Sequence, residues 1–190
     1  MTFMILGLLF LASCAYAGNI DILLQKAGSA LGRSERDSAI ALYQEVLRLD
    51  SNNVEATRNL GVISSLDGKY EAAIDFFKKA SRFDSTDADI YSNLGLCYAR
   101  LGDTTTALTQ YRRAIKLKPE KGLYVKNICS VLLPARRLSE ALAVLNQITK
   151  TDTVDAELYY LLGNVLVGSG DFPGAEKNMN RAKPKKPNNK

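Results

Sequence analysis

Residues 88–121 read ADIYSNLGLCYARLGDTTTALTQYRRAIKLKPEK, and the rest of the chain is ordered around them. At helical spacing the stretch is two amphipathic helices joined by a short Gly102-Asp103 turn. The pattern recurs, with drift, directly before and after itself at a period of 34 residues. Such a period marks a stacked helix–turn–helix array, in which each hairpin buries its apolar face only against its neighbours.

With Ala88 as slot 1, slots 4, 8, 11, 20, 24, 27 and 32 hold Tyr91, Gly95, Tyr98, Ala107, Tyr111, Ala114 and Pro119. Small Gly95 and Ala107 let the two helices approach, the aromatics fill the space around that contact, and Pro119 stops the second helix. This resembles the tetratricopeptide repeat, which favours these residue types at these slots. The resemblance implies an all-α fold, a right-handed superhelix of about five hairpins and about ten helices. It covers residues 20–182, in repeats 20–53, 54–87, 88–121, 122–155 and 156–189.

The copies drift in readable ways. Repeat 54–87 keeps Leu60-Gly61, Gly68, Tyr70, Ala73, Phe77 and Ala80, while repeat 20–53 has Ala27 at slot 8. In repeat 122–155, Cys129 replaces glycine, Leu132 and Leu145 replace aromatics, and Arg136 takes the inter-helix glycine position. Pro134 there predicts a first helix that ends early. Repeat 156–189 restores Gly163, Gly170 and Ala175, with Pro173 where a second helix starts. Slot 21 is Ile40, Ile74, Leu108 and Leu142, then Glu176, so the last helix is expected to cap the array itself.

The N-terminus reads as an address. Residues 4–12, MILGLLFLA, form an uncharged apolar run too short to span a bilayer and suited to a signal-peptide core, although the residues before it carry no Lys or Arg. Ala15-Tyr16-Ala17 is an ordinary A-x-A cleavage site, and Leu11-Ala12-Ser13-Cys14 resembles the bacterial lipobox. The expectation is a signal peptide within residues 1–17 and an exported periplasmic or outer-membrane lipoprotein anchored through acyl chains on Cys14. The alternative is a secreted soluble protein cleaved after Ala17.

Composition limits the chemistry. The chain of 190 residues is 46% hydrophobic and 24% charged, with a net charge of +5 and no His or Trp. Without His, no serine or cysteine triad of the familiar sort can be built, and the commonest metal ligand is missing. No phosphate loop is present, because Gly68-Lys69 and Gly102-Asp103 are turns. Asp84, Asp87 and Asp89 read as helix caps rather than a metal site. The scattered Cys14, Cys97 and Cys129 form no disulfide framework. Residues 177–190 hold six cations and no acid, so the basic balance belongs to a tail at 183–190 and not to a nucleic-acid surface.

In the family resembled here, slots 2, 5, 6, 9, 12 and 13 of the first helices line a concave binding groove. Slot 6 is Asn59, Asn93 and Asn127 in three successive repeats, a ladder suited to hydrogen-bonding a peptide main chain. Around it lie Arg58 and Val62, then Ser92, Leu96 and Arg100, then Lys126, Ser130 and Leu133, and finally Tyr160, Asn164 and Val167. Arg58, Arg100 and Lys126 are the expected groove cations. The family's carboxylate clamp is not reproduced, since Arg58 is paired with Val62, and Leu123 and Asn127 stand at the later slots.

The function expected is that of a non-enzymatic adaptor of the bacterial cell envelope. It would dock a protein or peptide segment, with no cofactor, metal, nucleic acid or small-molecule substrate, in assembly of a pilus, secretion or outer-membrane complex. The alternative is a tether that holds anionic polymer or lipid through the basic tail, with the repeats as spacer.

Overall fold

The computed structural model describes residues 18–148 and 155–183. The signal segment with Cys14, residues 149–154 and the tail 184–190 lie outside the described residues. Among the described residues the chain is all-α. Helix α1 covers 18–32. It is followed by α2 (Arg36–Leu49), α3 (Val54–Leu66), α4 (Tyr70–Phe83), α5 (Ala88–Arg100) and α6 (Thr104–Leu117). Then come α7 (Gly122–Leu132), α8 (Leu138–Ile148), α9 (Ala156–Ser169) and α10 (Phe172–Ala182). From α3 onward, first helices begin at Val54, Ala88, Gly122 and Ala156, so the sequence period is carried by the backbone. None of these helices is long and apolar enough to cross a membrane.

The described residues fall into two compact units that divide at Ser85–Thr86. The first, α1–α4, is centred on Ala27, Ala30, Tyr43, Val46, Leu60 and Ile63. The second comprises α5–α10, with Tyr111, Tyr124, Ile128, Leu145 and Leu158 among its largest fully buried side chains.

One slot pair sets the helix spacing in both units. A Cβ added at Gly61 would lie 2.8 Å from the Phe77 ring, one at Gly95 2.7 Å from Tyr111, and one at Gly163 2.6 Å from Met179. Slot 8 is therefore small because slot 24 of the partner helix presses its side chain on it. In α7–α8 the pair is Cys129 and Leu145, both fully buried, a larger residue facing a smaller one.

The turns share one backbone device. Slot 15 is left-handed in every hairpin, at Ser34 (φ 63), Gly68 (φ 75), Gly102 (φ 84), Arg136 (φ 55) and Gly170 (φ 86). Glycine adopts that conformation without Cβ strain, whereas Ser34 and Arg136 pay for it. Helix α7 does end early, at Leu132, two residues before Pro134, and Pro173 sits in the first turn of α10. Asp87, Asp103, Asp155 and Asp171 cap the N-termini of α5, α6, α9 and α10 by accepting backbone N–H bonds.

Within the second unit, successive hairpins are joined by a polar cluster at their starts. The Asp89 carboxylate accepts from Lys121 Nζ at 2.8 Å and from the Tyr124 hydroxyl at 2.7 Å. Burial opposes its charge, but those two bonds outweigh it and hold Asp89 below the usual carboxylate range. Tyr124 is fully buried, and burial with the Asp89 charge pushes its hydroxyl pKa up. Two of the three acids at this junction thus cap helices or bind a lysine. Cys97 and Cys129 are both buried and form no disulfide with each other.

Candidate functional site

The first helices carry the candidate surface on those second- and third-turn residues that are left only partly buried by hairpin packing. In the first unit, Arg58, Asn59 and Val62 stand half-buried on α3. In the second unit, the same slots of α5, α7 and α9 open into two adjoining clefts. One, of about 420 Å³, is lined by Leu96, Arg100 and Ser130 with Tyr111 and Pro134. The other, of about 300 Å³, is lined by Lys126, Ser130, Leu133, Tyr160 and Asn164 with Glu157. Ser130 borders both. The structure therefore brings Leu96 and Arg100 together on one side of Ser130, and Lys126, Tyr160 and Asn164 on the other.

Three expected groove residues carry structural bonds. Ser92 is only 5% exposed, so it offers nothing to a ligand. Its Oγ accepts a 3.0 Å bond from Asn127 Nδ2, which turns that rung of the Asn ladder into a strut between α5 and α7. Lys126 is not an available cation. Its ammonium donates to Glu157 at 2.6 Å and Asp155 at 3.3 Å. The bond to Glu157 above all raises its pKa, so the charge is permanent but compensated. Sequence reasoning missed both because each partner lies about one repeat away. Asn93 is half-buried on α5 and lines neither cleft, and Arg100 is exposed.

The cleft walls hold no group poised for proton transfer among those whose pKa is displaced. Burial pushes Tyr111 up to about 12 and Cys129 up to about 12, so both stay protonated near neutrality. The arrangement offers an amide, a hydroxyl, an exposed guanidinium and apolar walls, groups suited to recognition.

Two features were not read from sequence. Arg113 stacks over Tyr91 at 3.9 Å and Arg181 over Tyr159 at 5.6 Å, the same slots, 26 over 4, in two repeats. The second is an apolar groove at the end of the second unit, between α9 and α10. Glu176 at slot 21 is exposed there as expected, yet Tyr160, Val167, Phe172 and Met179 surround it. The exposed residues of α10 include Glu176, Lys177, Asn180 and Arg181, with those apolar side chains beside them.

Residues 88–121 match a tetratricopeptide-repeat model, and residues 67–102 and 130–190 match two further models of TPR repeats. The chain carries tetratricopeptide repeats. Among solved TPR-like structures, MamA is 23% identical with a TM-score of 0.71, covering 87% of this chain and 91% of its own. YrrB, described as a TPR protein with an unusual peptide-binding site, is 24% identical with a TM-score of 0.64, over 84% of this chain and 82% of its own. Pseudomonas aeruginosa pilF is 16% identical with a TM-score of 0.76, over 90% and 80%. At these identities the likeness is one of fold. No curated protein matches the chain. TPR modules of this kind serve protein–protein interaction.

Proposed function

We propose that the chain is a non-enzymatic scaffold of the bacterial cell envelope, anchored through a lipidated Cys14, that docks an extended peptide or helix of a partner on its first-helix face. The observation that carries the docking reading is the pair of clefts meeting at Ser130, which present Leu96, Arg100, Tyr160 and Asn164 side by side. Asn93 supplies the amide for a peptide main chain, and Arg100 supplies the cation that Lys126 cannot. The peptide-binding site in the description of YrrB supports the mode, not the partner.

The test is capture of envelope proteins from native membranes by wild type and by Asn93→Ala combined with Leu96→Glu. Asn127 is left intact because its amide holds Ser92. Loss of the captured protein at unchanged thermal stability supports docking on this face; undiminished capture removes it. The anchor is tested separately by the mass of the mature N-terminus, where acylated Cys14 supports the lipoprotein and a free Gly18 overturns it.

A further inference from the structure

The fourth repeat is held together differently from its neighbours in the second unit. Helices α8 and α10 are each 11 residues long. Yet α10 packs on α9 as extensively as α6 on α5, while α7 and α8 meet over a much shorter stretch. The slot pair gives the reason. Gly95 and Gly163 let their hairpins draw close, whereas Cys129 keeps a side chain at the crossing and faces Leu145.

The two sides of α7 are also bonded differently. Toward α5, the fully buried Tyr124 donates to Asp89, and Asn127 donates to the nearly buried Ser92. On the other side, the polar links include surface ion pairs. Lys126 meets Glu157, which is 69% exposed, and Arg112 of α6 meets Glu140 of α8. Pairs of this kind hold weakly and yield to salt.

A cleft runs along that second side. The space of about 300 Å³ has Lys126, Cys129 and Ser130 of α7 on one wall and Glu157, Tyr160 and Asn164 of α9 on the other. It reaches down to Cys129, which has no exposed surface. The turn that joins α7 to α8 contains Pro134 and a left-handed Arg136, where the other two turns of this unit have Gly102 and Gly170. Apolar contacts do cross the seam, Leu158 against Gly122 among them, so the closed form is the ground state.

We infer that the second unit opens inside this repeat, with α5–α7 parting from α8–α10 about a hinge at residues 133–137. In a repeat array the hairpin is the ordinary structural unit; here the boundary between cooperative pieces runs through one. Opening draws apart the two walls of the cleft over the seam. The inference stands on packing and bonding and does not rest on the docking reading.

Two cysteines of the same chain report the two events. Cys129 lies in the seam, and Cys97 lies buried on α5 within one of the two pieces. Burial pushes the Cys129 thiol up to about 12 in the closed form, so alkylation near neutrality reads its exposure. The full chain is treated with excess iodoacetamide at rising urea. Each cysteine is followed by peptide mass spectrometry, relative to its rate in the unfolded chain. Below the global transition, Cys129 should react faster than Cys97 by about tenfold or more. Raising NaCl to about 1 M, Glu157→Gln and Glu140→Gln should each speed Cys129 severalfold and leave Cys97 unchanged. Equal protection of the two thiols at every urea concentration overturns the inference, because the unit then opens as one. Fast alkylation of Cys129 that is unmoved by salt and by both substitutions also overturns it, since the reagent then enters through the cleft without opening. A Cys97 that reacts before Cys129 places the weak seam elsewhere and overturns it likewise.

Discussion

The third repeat places Gly95 under the Tyr111 ring and Gly102 in its turn, while the fourth places Cys129 and Leu145 in the same packing slots and Arg136 in the same turn. Both hairpins keep the period, and both bury the pair completely or nearly so. What is held constant is the combined volume of slots 8 and 24, not the identity of either. Close-packed interiors tolerate exchange of bulk between facing residues far better than bulk added on one side.

The comparison breaks most visibly at the slot pair. Gly95→Cys, which imports the fourth repeat's residue alone, drives a Cβ to 2.7 Å from Tyr111. It should cost about 2–3 kcal/mol in urea denaturation, and adding Tyr111→Leu should restore at least half of that. If the double variant is no more stable than the single one, volume exchange is the wrong account.

The junctions differ as well. Asp89 at slot 2 of the third repeat binds Lys121 and Tyr124, whereas slot 2 of the fourth is Leu123, exposed and without a carboxylate. Asp89→Ala strands the buried Tyr124 hydroxyl and should cost about 1–3 kcal/mol, read by the same denaturation. The effect is pH-dependent. Asp89 has a depressed pKa in the fold, so its contribution is present above the ordinary carboxylate range and is lost as pH falls through the folded value. Asp89→Asn should flatten the acid limb of the stability profile; an unchanged limb would show that other groups dominate it.

The turns give the smallest expected effect. Arg136→Gly relieves a left-handed non-glycine residue and should add roughly 0.5–1 kcal/mol, while Gly102→Ala should remove a similar amount. Equal and negligible changes at both sites would mean that the turn stores no strain.

Slots 4, 8, 20 and 24 were legible in sequence because they are local: helical spacing places them on one face, and a small residue opposite a large one has a single packing solution. The early end of α7 was legible through Pro134, and the inter-helix turns through Gly68, Gly102 and Gly170. The engaged state of Lys126 was not. Asp155 and Glu157 meet it only after a whole hairpin has folded, and no local pattern marks a lysine whose acid lies about one repeat away. The bond from Asn127 to Ser92 was hidden for the same reason, since the two stand 35 residues apart.

By itself the sequence determined the all-α repeat, its 34-residue period and the face on which the candidate clefts lie, because these follow from periodicity and residue size. Tertiary structure alone decided which polar groups on that face are already spent. It also decided that Tyr160, Val167, Phe172 and Met179 line one groove with Glu176. Both depend on side chains from helices far apart in sequence converging on one surface, and a periodic pattern specifies the helices without specifying what their neighbours leave uncovered.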